Sequence, residues 1–193
     1  MRTIRHNVFE TNSSSTHSLA IPKESSDTPN HLSFYIGEFE WGWDEVSPTD
    51  YFYTAIYATS DTADEVAEKL EKLTDILDAH GIQYHFGEAR TSIWGRENGI
   101  NYISLDNGYI DHGGELRAFV DELLNDGNKL IRFLSEGLVF TGNDNCDTEQ
   151  RGFVERDTKY FENYDWHTKM TSKIENPYYM EDYNNYEWYW KGN

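Results

Sequence analysis

The 193-residue chain carries 35 acidic against 16 basic side chains, a formal net charge of -19. Its length suits one domain with a real core, and its single cysteine, Cys146, excludes an intramolecular disulfide or a cysteine-based zinc cluster, in keeping with a reducing cytoplasm. The charge argues against anionic membranes and free nucleic acid, whose phosphates are bound through Lys and Arg displacing counterions, and it favours a basic partner.

Residues 5–18, Arg-His-Asn-Val-Phe-Glu-Thr-Asn-Ser-Ser-Ser-Thr-His-Ser, hold one arginine, two histidines, one glutamate and six hydroxyl side chains. Apolar runs at 4–9 and 19–21 flank this cluster, a pattern that reads as two strands joined by a polar loop. A loop that only turns the chain would more readily use Gly, Asp-Gly or Asn-Gly, and positions 12–15 contain no glycine. Two readings stand side by side. In one, the serines form local side-chain turns and His17 is a polar strand residue. In the other, Asn12, Ser13, Ser14, Ser15 and Thr16 cradle a phosphate, and Arg5 supplies a planar fork of donors. His17 and His6 then move protons across a phosphodiester, with Glu10 in the same catalytic set, because imidazole titrates near neutral pH. Strand alternation sends Arg5 and His6 to opposite faces, so only one of them shares the pocket unless a bulge intervenes. A Ser–His dyad acting on acyl groups lacks its Gly-x-Ser-x-Gly elbow.

The string at 5–19 resembles the start of a group of small proteins carried by phages and mobile elements of Gram-positive bacteria. Some proteins from that source are anti-CRISPR proteins directed at Cas9. The resemblance covers under a tenth of the chain and brings no catalytic assignment. It implies an accessory product working inside a bacterial host, with Cas9 and its guide RNA as the expected partners.

Between Lys23 and Lys69 there are eleven acidic residues and no basic one. Glu38, Glu40, Asp44, Glu45 and Asp50 alternate there with Tyr35, Phe39, Trp41, Trp43, Tyr51 and Tyr53. Such a run either imitates the charge spacing of a nucleic-acid backbone and docks in a basic groove, or turns aromatics inward and acids outward for solubility. Leu32, Phe34 and Ile36 have the period of a half-buried strand, which Phe39 and Trp41 extend. Ser47-Pro48 starts a short helix, pairing a capping hydroxyl with a proline at the first helical position.

A helix over 62–80 follows, with Val66, Leu70, Leu73 and Leu77 on one face, Asp61 or Thr62 as its cap and Gly81 as its stop. Residues 82–86 read as a strand and 101–110 as a hairpin turning at Asp106-Asn107-Gly108. Asp111, His112 and Glu115 then precede a second amphipathic helix. The two glycines between them suit an anion at a helix start, whereas the three side chains suit a divalent metal. A shorter helix over 129–134 and a strand over 138–141 lead to an acidic loop at 142–149, which fails the calcium-loop pattern.

The aromatic, acidic segment 160–193 is expected to pack on the domain or on a partner. The order of elements predicts a single-domain α+β fold, mainly antiparallel, with two or three amphipathic helices. No apolar run reaches bilayer length and nothing after Met1 reads as a signal peptide, so a cytoplasmic protein with no membrane contact is expected. Neither functional reading requires a cofactor, and the one candidate is a divalent metal at Asp111, His112 and Glu115. Those readings are a catalytic inhibitor that cleaves guide RNA and a stoichiometric acidic mimic.

Overall fold

β1 (Ser15–Pro22) is buried along its whole length, because it runs between two other strands and under a layer of helices. It pairs antiparallel with β9 (Leu138–Asn143) on one side and with β12 (Tyr186–Lys191) on the other, and β4 (Glu45–Val46) extends the sheet beyond β9. The computed structural model describes residues 15–24, 28–143, 152–165 and 167–191. Among these, the sequence-based expectation of an α+β fold with mostly antiparallel strands holds, and no helix is long and apolar enough to cross a membrane.

Strand alternation gives the sheet two different faces. His17, Leu19 and Ile21 point toward α1 (Pro48–Ala58) and α4 (Gly127–Glu136), joining one hydrophobic core with Tyr51, Phe52, Ile56 and Phe133. Ser18 and Ala20 alternate to the opposite face. Across the register from Ser18 lie Phe140 and Trp190, part of an aromatic layer in which Phe140 and Trp188 stack at 6.4 Å. The buried Ser18 hydroxyl has no hydrogen-bond partner among the described residues.

Local signals set the helix ends. Ser47 caps α1 by accepting from Asp50 N, with Pro48 in the first turn. Thr62 caps α2 (Ala63–Ala79) by accepting from Glu65 N at 3.2 Å, while Glu65 accepts from Asp61 N at 2.7 Å. Gly81 follows with φ +69°, where a side chain would be strained. The buried Lys69 donates to the Thr59 carbonyl at 2.9 Å, placing a cation at the negative end of α1.

Several elements depart from the expectations. The hairpin is β6 (Thr91–Glu97) with β7 (Ile100–Leu105), turning at Asn98-Gly99, both at positive φ (52° and 85°). Those angles are what a tight hairpin turn needs. Asn107 instead uses its side chain to bridge Arg90 N and Glu88 O, and Gly108 lets the chain pass close to Ile36 and the Gly37 backbone.

Phe39 does not extend β2 (His31–Phe34) but forms β3 (Glu38–Phe39), which pairs in parallel with β8 (Tyr109–Ile110). β2 pairs in parallel with β5 (Gln83–Phe86). The second amphipathic helix expected after Asp111, His112 and Glu115 is α3 (Arg117–Asn125), preceded by a 3-10 turn over Gly113–Leu116. β10 (Tyr160–Asp165) and β11 (Met170–Glu175) make a separate hairpin. In the acidic loop at 142–149, Gly142 and Asn143 belong to β9 and the remainder lies outside the described residues.

Candidate functional site: an acidic ledge beside an aromatic cavity

The segment from β3 to β4 forms a ledge along the edge of the sheet. Phe39 turns inward against Tyr51, with ring centroids 5.1 Å apart, so Glu38 and Glu40 on either side of it face solvent. The ledge backbone is held from beneath by two buried side chains of adjacent strands, His17 and Thr141, which are partners in the register. His17 Nε2 donates to the Glu40 carbonyl at 3.0 Å. Thr141 Oγ1 donates to the Gly42 carbonyl at 2.5 Å and accepts from Asp44 N at 3.2 Å, and Thr141 N donates to the Asp44 carbonyl at 2.8 Å.

With its backbone tied down, the ledge presents Glu38, Glu40 and Asp44 around a small cavity of about 250 Å³ floored by Phe39 and Val46. Glu45 and Asp44 also face a larger cavity of about 520 Å³, which shares Thr141 with the first. Its walls include Trp43, Phe153, Tyr178 and Tyr179, with Arg156 and Asp182 as further charged groups. Trp43 packs against Phe153 (5.1 Å) and Tyr178 (5.5 Å), joining the ledge to the aromatic layer on the outer face of the sheet. None of Glu38, Glu40, Asp44 and Glu45 is within ion-pair distance of a cation among the described residues.

The structure treats the residues singled out in the sequence unequally. Arg5, His6, Glu10, Asn12, Ser13 and Ser14 lie outside the described residues. Ser15 and Thr16 are buried strand residues opposite Asn143 and Gly142 rather than members of a loop. His17 is 0 % exposed, and both ring nitrogens are engaged. Since the Glu40 carbonyl can only accept, Nε2 carries the proton, and Nδ1 accepts from the Tyr51 hydroxyl at 2.7 Å. Burial pushes the Tyr51 pKa upward, which keeps that hydroxyl a donor. As a general acid or base, His17 would have to leave both partners and reach solvent; here it is a structural histidine.

Asp50 lies in the first turn of α1, apart from the four ledge acids. Its Oδ1 accepts from Tyr35 N at 2.8 Å, and burial raises its pKa despite that bond. Asp111, His112 and Glu115 are close in space but do not surround a common point. Asp111 lies 3.9 Å from Nε2 of His112 and Glu115 lies 4.0 Å from Nδ1, so the carboxylates flank opposite sides of one ring. No group of three or more His, Cys, Asp or Glu side chains is placed to hold one metal ion among the described residues. Sequence reasoning missed Thr141 and Arg156. Neither belongs to a recognisable motif, and only the pairing of distant segments makes it part of a site.

No family model, curated protein or solved structure matches this chain.

Proposed function

We propose that this protein is a non-enzymatic inhibitor that docks its acidic ledge into the basic groove of a nucleic-acid-handling protein. The observation that carries this reading is the convergence of Glu38, Glu40 and Asp44 on one cavity, unpaired among the described residues, on a backbone pinned by His17 and Thr141. Uncompensated carboxylates around one cavity, on a backbone held from beneath, complement a groove shaped for phosphates. Their field speeds encounter and rejects acidic competitors. The resemblance at residues 5–19 makes Cas9, in its bacterial host, the partner to try first. The competing reading, cleavage of guide RNA, depends on His17, whose imidazole is buried under the ledge.

The test is a titration of target activity with wild-type protein and with a Glu38→Gln, Glu40→Gln, Asp44→Asn, Glu45→Gln variant. A stoichiometric binder saturates near one equivalent and leaves the RNA intact on a gel. The quadruple variant should lose about tenfold or more in affinity, because rim charge pairs contribute a few tenths to 1 kcal/mol each. Rising salt should weaken the wild-type complex, since exposed charges are screened beyond roughly 8 Å at physiological ionic strength. Undiminished inhibition by the variant, or turnover well below one equivalent with shortened RNA, would overturn the proposal.

A further inference from the structure

Arg156 is 4 % exposed, yet no carboxylate among the described residues lies within ion-pair distance of it. Its Nε donates to the Phe153 carbonyl at 3.2 Å and Nη1 points to Met180 Sδ at 3.8 Å, while Nη2 has no hydrogen-bond partner among the described residues. Aromatic faces carry part of the charge: Cζ sits 3.8 Å from the centroid of Phe140 and 4.7 Å from that of Phe153. Burial lowers the Arg156 pKa only to about 10, so the group is a cation at neutral pH.

This guanidinium lines the cavity of about 520 Å³, a volume within the range of small-molecule sites. The same lining holds Asp44, Glu45 and Asp182 together with Trp43, Tyr178 and Tyr179. A bare anion would suit Arg156 but meet three carboxylates. A bare cation would suit the carboxylates but meet a buried guanidinium. A flat ring that bears N–H donors and one anionic group satisfies all three kinds of wall at once.

We propose that this cavity binds a nucleoside monophosphate, with its base against the Trp43 and Tyr179 walls, its N–H edge toward the carboxylates and its phosphate on Arg156. Stacking on aromatic side chains accepts any base, and carboxylates accept from base N–H groups. The same chemistry occurs in a free mononucleotide and in one residue of a single strand. A net charge of -19 repels a strand of phosphates, so the free mononucleotide is the favoured source.

The full chain is titrated with AMP, CMP and GMP by calorimetry and tryptophan fluorescence. Cytidine, inorganic phosphate, a short single-stranded oligonucleotide and N-acetylarginine amide are run beside them. One saturable site for a monophosphate is expected, with cytidine weaker than CMP by about tenfold or more, as for loss of a charged hydrogen bond. Tyr179→Leu, placed on the cavity wall, should keep the wild-type circular dichroism spectrum and lower affinity by about tenfold through lost stacking. Arg156→Gln should abolish the preference for CMP over cytidine; if that variant fails to fold, the comparison on the wild-type protein carries the phosphate contact by itself.

The proposal is overturned if none of the monophosphates saturates, or if phosphate or the arginine amide binds as tightly as the nucleotides. An oligonucleotide that binds more tightly than CMP would reject the free mononucleotide as its source. Failure here leaves the ledge proposal standing, since Glu38 and Glu40 do not line this cavity.

Discussion

His17 Nδ1 lies 2.7 Å from the Tyr51 hydroxyl, joining the central strand to the buried face of α1, while the opposite ring nitrogen holds the ledge at Glu40. One imidazole therefore couples the core to the proposed binding surface. His17→Ala should remove both bonds, leave a cavity and strand the Tyr51 hydroxyl and the Glu40 carbonyl. A loss of roughly 2–4 kcal/mol is expected in urea unfolding. A variant that kept wild-type stability but lost an RNA-cleaving activity would return His17 to a catalytic role.

Lys129 is 8 % exposed and donates to Glu122 (2.6 Å), Glu187 (2.9 Å) and the Tyr189 hydroxyl, tying α4 to α3 and β12. Hydrogen bonds from Lys129 and Tyr189 hold the Glu187 pKa below its ordinary value of 4.5. The group with the depressed pKa stabilises the fold above 4.5 and loses that contribution as pH falls through the folded value. Acid unfolding of Glu187→Gln should thus show a shallower dependence on pH below about 4.5 than wild type. Burial alone would lower the Lys129 pKa, but its bonds to Glu122, Tyr189 and Glu187 outweigh this and raise it, so its contribution persists through neutral and mildly basic pH. Lys129→Met should cost about 1–3 kcal/mol, since the abandoned carboxylates are half exposed and regain water.

The two Asn-Gly pairs should respond differently to the same change. Gly99→Ala strains a residue at φ +85° in an open turn, with no atom within 4 Å of the new methyl, and should cost about 1 kcal/mol. Gly108→Ala drives its methyl into the Ile36 side chain and the Gly37 backbone, where relief requires moving β8, and should cost about 2–3 kcal/mol. Thermal melts of the two variants check the order.

For Asp50, burial raises the folded pKa above its ordinary 3.8, so ionisation opposes folding. Its penalty is absent in acid, grows as pH rises from the ordinary 3.8 to the raised folded value, and is complete above that. Asp50→Asn, which keeps an acceptor for Tyr35 N, should leave stability at pH 7 equal or slightly higher and should not change partner affinity. A loss of binding in this variant would place Asp50 back among the contact residues.

The sequence by itself determined whatever depends on neighbours along the chain. The Ser47-Pro48 start, the cap at Thr62 and the Gly81 stop are legible because capping is decided within one turn. The outward set of Glu38 and Glu40 is legible because Phe39 between them must be buried. The tertiary structure alone decided the role of His17, whose strand is sandwiched between β9 and β12, more than a hundred residues away. A polar strand flanked that way must bury its hydroxyls and imidazole, and nothing in residues 5–18 encodes its neighbours. Arg156 is the same case. Phe140, Phe153, Tyr178 and Trp188 come to it from four separate segments, and burial without a carboxylate follows from how those segments stack rather than from Glu155 and Asp157 beside it.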